Sequence, residues 1–161
     1  MSIKIFIICM CTAVGTAAGY AVMYRYKRTK EYFKSLCDML DELKRNISFR
    51  RDSVASVLGT FETKSALLKR NIAQYLAFST NKNGVLDIDK GFLKPDEHGK
   101  ITKMFSILGG SDESTQSRDI DMYLTEFSAL RDAAQQRYDK YGTLAVKLGF
   151  LFGLGVGILF L

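Results

Sequence analysis

The sequence has few of the residues on which catalytic and metal sites depend. It contains no tryptophan, a single proline (Pro95) and a single histidine (His98) among 161 residues. The sequence places no suitable partner beside His98 for metal binding or proton transfer, so we expect an exposed loop residue. The nearby acidic residues lack calcium-loop spacing, and no glycine-rich phosphate-binding signature is present. These absences predict a protein that is not an enzyme and uses no cofactor or metal.

The three cysteines do not indicate a disulfide framework. Cys9 and Cys11 lie within an apolar run, and Cys37 lies in a segment with helical spacing. Thiols among aliphatic neighbours are usually ordinary apolar residues, and thiols in a cytoplasmic domain stay reduced. We therefore expect neither a disulfide nor a soft-metal site.

Long uncharged stretches lie at both ends of the chain. Residues 5–24 carry no charge, and at about 1.5 Å per residue their helix reaches about 30 Å, the thickness of a bilayer core. Residues 148–161 reach membrane length when the segment is extended back to Thr143, because the long stem of Lys147 brings its ammonium group to the lipid headgroups. Residues 1–24 and 143–161 are thus predicted transmembrane helices.

Other interpretations of these stretches are a cleaved signal peptide for the first and a buried amphipathic helix for the second. Basic residues follow the first stretch at once, and the second has no polar face; both facts favour membrane spans. The basic residues are Arg25, Lys27, Arg28 and Lys30. Because basic loops stay cytoplasmic, residues 25–142 are predicted to be a cytoplasmic domain with both termini on the opposite side.

The charge of the chain is concentrated outside the spans. All 17 acidic residues and 21 of the 23 basic residues lie in residues 25–142. Since four basic residues crowd next to the first span, the remainder is nearly neutral, and the basic excess indicates contact with membrane lipid. We expect no nucleic acid and no small-molecule substrate as partners.

The cytoplasmic segment has the spacing of helices. Its first apolar stripe recurs every three or four residues, at Phe33, Leu36, Leu40, Leu43 and Ile47. A short helix capped by Asp52 or Ser53, a helix over residues 64–79 and a helix beginning at Asp96 are predicted to follow. Residues 80–99 predict a loop, and the last helix is expected to continue past Gly142 into the second span. The predicted fold is all-α: a helical bundle flanked by two transmembrane helices.

Glycines recur at intervals of four in both spans. They are Gly15 and Gly19 in the first, and Gly149, Gly153 and Gly157 in the second. This spacing places glycines on one helical face, where another helix can approach closely. The alternative is that glycine is simply common in membrane helices. The sequence leaves open whether the two spans pair with each other or with another protein.

The stretch LGGSDESTQSRDIDMYL and the final span KLGFLFGLGVGILFL, together with the uncharged N-terminal run and its basic exit, resemble the stage III sporulation protein AB family over the whole chain. The most specific match is the run from Leu108 to Asp112, followed by Gln116. The resemblance makes Gly109, Ser111, Asp112 and Gln116 candidate partner-contact residues. A glycine break followed by serine and aspartate is also an ordinary helix start, so a purely structural role is the alternative.

The resemblance implies a function in endospore-forming bacteria. Members of the family are encoded with other stage III proteins that build a channel between mother cell and forespore, and they lie in the outer forespore membrane on the mother-cell side. Their soluble domain is similar in fold to the cytoplasmic domains of the platform protein of type II secretion and type IV pilus machines. Such a platform would dock a cytoplasmic ATPase, the stage III AA protein, to polytopic membrane components, with no chemistry of its own.

Two other classes of function are weighed against this platform. A stand-alone regulatory or sensory membrane protein would need a buried polar pocket or an extracytoplasmic domain, and the short flanks lead us to expect no such domain. A lipid-modifying membrane enzyme would need a group of His, Asp or Cys residues within the spans, which the sequence lacks. The platform is therefore the leading hypothesis.

Overall fold

The computed structural model describes residues 2–49, 53–80, 86–110 and 113–159, and every regular element in these ranges is a helix. This confirms the predicted all-α class. The helices are α1 (Ser2–Phe49), α2 (Val54–Thr60), α3 (Ala66–Thr80), α4 (Pro95–Ile107), α5 (Glu113–Arg137) and α6 (Thr143–Leu159). A π-helical turn, Tyr138–Gly142, joins α5 to α6 without a break, as expected for a last helix that continues into the second span.

Two compact units divide the described chain. The terminal unit contains the residues up to Lys30 and those from Asp132 onward, and the central unit is Glu31–Arg131. The predicted domain limits of 1–24, 25–142 and 143–161 remain predictions.

The core of the central unit forms around the predicted stripe of α1. Leu36, Leu40 and Leu43 are fully buried, and Phe33 and Ile47 are nearly so. Burial of each large aliphatic side chain contributes about 1.5–3 kcal/mol to folding. Apolar residues from the other helices complete this core, chiefly Leu58, Leu67, Leu68, Ile101, Met104, Phe105, Ile120 and Phe127. The helical periodicity of α1 therefore identified its buried face correctly.

Helix α2 begins where the sequence predicts a cap. The Oγ of Ser53 accepts a hydrogen bond from the backbone N–H of Ser56 at 3.2 Å, which satisfies one of the otherwise unpaired donors of the first turn. Asp52, the alternative cap, lies outside the described residues. The helix ends at Thr60, and Phe61 is its C-cap.

The segment before α4 is more ordered than its composition indicates. Ile88 and Leu93 are buried, and α4 begins at Pro95, one residue before the predicted Asp96. Proline suits the first helical position, because its missing N–H has no intrahelical partner there. His98 lies in this helix, half-buried, with its Nε2 2.7 Å from the carbonyl oxygen of Ile88. The prediction of an exposed loop histidine was wrong, because residue 98 lies in the first turn of α4 and the buried segment at Ile88 packs against its ring.

Within the described ranges, two helices are long and apolar enough to cross a membrane. Their most apolar windows have mean hydropathies of 2.0 and 1.8 and lie within Ile5–Ile47 and Ser114–Leu159, the second including the π-helical turn. The turn ends at Gly142, the residue past which the last helix was expected to continue. An extra residue per turn is an identifiable cause of helix bending.

Candidate functional site

Glycines bring the two apolar helices of the terminal unit into backbone contact. A Cβ atom added at Gly19 would lie 2.5 Å from the carbonyl oxygen of Ala145, and one added at Gly153 would lie 2.6 Å from that of Cys11. Gly15 and Gly149 are equally close, since a Cβ on either would collide with the carbonyl oxygen of the other. The backbones thus approach to a distance that no other residue type allows, which increases the van der Waals contact between the two helices.

The same contact continues toward the end of α6. A Cβ at Gly157 would lie 3.0 Å from the Cα of Ile8, whereas one at Gly155 would meet nothing within 4 Å. The structure therefore brings together all five glycines that the sequence singled out, and leaves Gly155, which is outside that spacing, open. The sequence left open whether the two apolar stretches pair with each other, and in the structure they do.

Polar side chains within the apolar part of α1 are satisfied locally. The hydroxyl of Thr12 donates to the carbonyl oxygen of Ile8 at 2.8 Å, and that of Thr16 donates to the carbonyl oxygen of Thr12 at 2.7 Å. Bonds to the carbonyl four residues earlier remove the cost of an unpaired hydroxyl in an apolar surrounding. These threonines can therefore face a bilayer or a partner helix.

Tyrosines and basic residues face each other across α1 and the π-helical turn. The rings of Tyr26 and Tyr141 stack with centroids 6.3 Å apart, and the Nζ of Lys30 lies 4.5 Å from the ring centre of Tyr138. A cation within about 6 Å of an aromatic face is attracted by the ring quadrupole. Tyrosine with lysine or arginine at the end of an apolar helix is typical of a membrane–water interface.

The predicted basic residues lie in α1 directly after its uncharged residues 5–24. Arg25 and Lys27 are exposed, and the guanidinium of Arg28 lies 5.8 Å from the ring centre of Tyr24. Together with Lys30 they give this end of the terminal unit a strong positive charge. Such a cluster attracts anionic lipid by about 1 kcal/mol per residue.

The end of α4 explains the glycine of the family-like motif. Gly109 has φ +78°, a left-handed conformation that strains other residues, and the Tyr75 hydroxyl donates to the carbonyl oxygen of the preceding Leu108 at 2.8 Å. A Cβ at Gly109 would lie 3.2 Å from that hydroxyl oxygen. The backbone conformation and this close contact therefore explain why glycine occupies position 109. Ser111 and Asp112 lie outside the described residues.

Gln116 is an interior residue rather than a surface one. Its side chain is buried and its Nε2 has no hydrogen-bond partner, as is also true of the hydroxyl of buried Tyr123. Both line a cavity of about 10 Å³ beside Leu40 and Asp119, which is room for about one water molecule. Burial raises the pKa of Tyr123, with the charges of Asp119 and Glu126 adding to the effect. The position of Gln116 favours a structural role over direct partner contact.

A buried polar link in the central unit was missed by the sequence reasoning. The Tyr32 hydroxyl and the side-chain amide of Asn71 lie 3.0 Å apart, and both residues are fully buried. Burial raises the pKa of Tyr32, and the charge of Asp89 raises it further. Tyrosine and asparagine occur on either face of an amphipathic helix, so no local pattern distinguishes this pair from exposed residues.

In the described part of the chain, no three His, Cys, Asp or Glu residues lie close enough together to hold a metal ion.

The sequence is similar to a known protein family. A family model described as stage III sporulation protein AB matches residues 4–161, nearly the whole chain. No curated protein and no solved structure matches it.

Proposed function

The chain belongs to the stage III sporulation protein AB family, and from this premise we propose that it is a non-enzymatic platform in the membrane of a secretion-like channel between mother cell and forespore. Family membership gives it a role in stage III of sporulation, together with other sporulation proteins. The proposed platform docks a cytoplasmic ATPase, the stage III AA protein, to the polytopic membrane parts of the channel.

The observation that carries the proposal is the glycine contact between the two candidate spans. Gly19 and Gly153 each place backbone against backbone, so the pair is a preformed membrane anchor and not two independent tethers. A component that transmits force or position from a cytoplasmic motor to membrane partners requires such an anchor. A chain that merely needed attachment to a membrane would be served by one span.

The helical central unit supports the same role. Ion pairs join α5 to two other helices, Lys44 to Asp121 and Lys100 to Glu126, each at 2.5 Å. Exposed pairs contribute little, about 0–1 kcal/mol each, so the apolar core supplies most of the stability. A unit stabilised in this way can present a fixed surface to a partner without undergoing chemistry.

The orientation proposed for the platform follows from charge. The basic residues after the first span, Arg25 to Lys30, favour a cytoplasmic central unit, which by resemblance lies on the mother-cell side of the outer forespore membrane. Labelling of a cysteine introduced at exposed Lys90, in a chain whose native cysteines are replaced by alanine, tests this. Reaction with a membrane-impermeant reagent from the cytoplasmic side alone is expected; reaction from the opposite side contradicts the orientation.

Co-purification tests the platform itself. The full chain in detergent is expected to retain the stage III AA ATPase with and without nucleotide, and deletion of the gene is expected to stop spore development at stage III. Retention of the ATPase by the Asp112→Ala variant tests the family motif. Asp87→Ala, the same change in the segment before α4, is the matched control. Failure of the full chain to retain the ATPase under either condition contradicts the docking role; in that case a regulatory membrane protein becomes the better explanation of a sporulation defect.

A further inference from the structure

The contact face of the last helix shifts by one residue across the π-helical turn. Ala134 is buried on α5, and at about 3.6 residues per turn the same face of a regular helix would include positions 148 and 152 of α6. Leu148 and Phe152 are instead 55% and 74% exposed. The residues that pack on α1 are Gly149 and Gly153, each one position later.

The displacement is the same at both ends of α6. Regular spacing from Ala134 would also put positions 141 and 156 on the contact face, yet the buried residues are Gly142 and Gly157. The shift of one residue is therefore complete at Gly142 and does not grow afterwards. It arises between Ala134 and Gly142.

The π-helical turn Tyr138–Gly142 lies in this interval. Its hydrogen bonds close over five residues instead of four, so it contains one residue more than an α-helical turn. The surplus lies on the outer side of the helix, where Asp139 and Lys140 are both exposed. On the inner side, the ring of Tyr138 faces the ammonium of Lys30 at 4.5 Å. One extra residue in the turn thus accounts for a displacement of one residue.

Without the extra residue the glycines would not face α1. One residue corresponds to about 100° of rotation around the helix axis, so a regular helix of the same sequence would direct Leu148 and Phe152 toward α1. Neither side chain fits there, because even a Cβ at Gly153 would lie 2.6 Å from the carbonyl oxygen of Cys11. The close contact therefore requires both the glycines and the turn that orients them.

We propose that the π-helical turn is a one-residue phase correction, which lets α5 and α6 form one continuous helix while the glycine face of α6 meets α1. The inference deepens the proposed function, because that function rests on the helix anchor that the turn makes possible. It has a specific consequence. Removal of one residue from the turn should leave a regular α-helix with the same glycine face, whereas removal of a residue from a regular part of either helix should turn one face out of contact.

Single-residue deletions in the full chain test the phase correction. Removal of Asp139 from the turn is compared with removal of Ala21, an exposed residue of the regular helix α1. In each background, unfolding in mixed micelles compares Gly153→Ala, where the added Cβ meets backbone atoms, with Gly155→Ala, where it meets nothing within 4 Å. With the native residue count and without Asp139, Gly153→Ala should raise the unfolding equilibrium constant about 5–30-fold and Gly155→Ala should not. Without Ala21 the two substitutions should have similar effects.

Two further variants separate residue count from side-chain chemistry. Asp139→Ala removes the carboxylate that accepts hydrogen bonds from Gln135 but keeps the count, and should leave the contrast between the two glycines unchanged. Removal of Lys140 in place of Asp139 should give the same result as removal of Asp139, because only the number of residues in the turn matters. Loss of the contrast, or failure to fold, in both turn deletions overturns the proposal. Persistence of the contrast without Ala21 also overturns it.

Retention of the stage III AA ATPase separates this inference from the proposed function. A wild-type chain that shows the contrast between Gly153→Ala and Gly155→Ala but does not retain the ATPase contradicts docking and leaves the phase correction intact. A wild-type chain that retains the ATPase, while both turn deletions lose the contrast, contradicts the phase correction alone.

Discussion

The hydroxyl of Tyr32 in α1 and the amide of Asn71 in α3 meet 3.0 Å apart inside the central unit, where neither residue is accessible to solvent. With the amide oxygen toward Tyr32, the amide nitrogen donates to the carbonyl oxygens of Leu67 at 3.2 Å and Asp89 at 3.3 Å. One side chain thus connects α1, α3 and the segment before α4. The Tyr32 hydroxyl and the Asp89 carbonyl oxygen would lose this partner if the amide were removed, whereas the Leu67 carbonyl oxygen still accepts the backbone N–H of residue 71 within α3.

Replacing the amide should therefore destabilise the central unit. Asn71→Leu keeps the volume but leaves the Tyr32 hydroxyl and the Asp89 carbonyl oxygen unpaired, and we expect a loss of about 1–3 kcal/mol in the free energy of unfolding. Tyr32→Phe in the Asn71→Leu background should cost less than Tyr32→Phe alone, because the partner is already gone. Urea unfolding followed by circular dichroism measures all three variants. Additive losses would contradict a direct link.

Alkaline pH should reveal the buried tyrosines. Burial raises the pKa of Tyr32 and of Tyr123 above the ordinary 10.0. Above pH 10 the unfolded chain releases these protons and the folded chain keeps them. The contribution of the two tyrosines to the free energy of unfolding is therefore complete below pH 10 and falls as the pH rises toward the raised pKa. The slope is at most about 1.4 kcal/mol per pH unit for each tyrosine.

Tyr123→Phe isolates this effect, because its hydroxyl has no hydrogen-bond partner to lose. At pH 7 we expect unchanged stability or a gain of up to about 1 kcal/mol, since an unpaired buried hydroxyl is removed. Between pH 10 and 11 the loss of stability should be smaller than in the wild type. A marked loss at pH 7 would instead indicate a water bound between Tyr123 and Gln116.

Local periodicity predicted the parts of the fold that depend on local order. The stripe from Phe33 to Ile47 and the Ser53 cap both follow from residues within one or two turns of each other. The burial of Ile88 does not, because it depends on contacts distant in sequence: the backbone N–H of Asp89 donates to the Oε1 of Gln74 at 2.9 Å. Composition alone indicated a loop there.

In the candidate site, too, local sequence patterns indicated some features and tertiary contacts determined the others. Intervals of four residues located the glycines of both apolar helices, but the register that places Gly19 against Ala145 depends on two helices at once and could not be read from either sequence alone. Gln116 was singled out by resemblance, and only the structure places it in the interior. Sequence patterns thus indicated the residues, and tertiary contacts decided what each of them does.

Gly109 should be less tolerant of substitution than its neighbour Gly110. Gly109→Ala forces an alanine into φ +78° with its Cβ 3.2 Å from the Tyr75 hydroxyl oxygen, and we expect a loss of about 1–2 kcal/mol. A Cβ at Gly110 would lie 3.6 Å from the nearest atom, an ordinary contact, so Gly110→Ala should stay within about 0.5 kcal/mol of the wild type. Thermal unfolding compares the two. Equal losses would argue against a left-handed residue at Gly109.

The pair Gly153 and Gly155 gives the sharpest test of the helix contact, because both lie in α6 two residues apart. A Cβ at Gly153 would lie 2.6 Å from the carbonyl oxygen of Cys11 and 2.9 Å from the Cα of Thr12, and backbone atoms cannot move aside as a side chain can. Gly153→Ala should therefore separate the helices and cost about 1–3 kcal/mol in mixed-micelle unfolding.

Gly155→Ala makes the same chemical change where nothing lies within 4 Å, so only the higher helix propensity of alanine should act, a gain of up to about 1 kcal/mol. The two substitutions thus have opposite expected signs. Since propensity favours alanine equally at both positions, a gain at Gly153 would mean that its backbone faces lipid, and the anchor on which the platform depends would not exist.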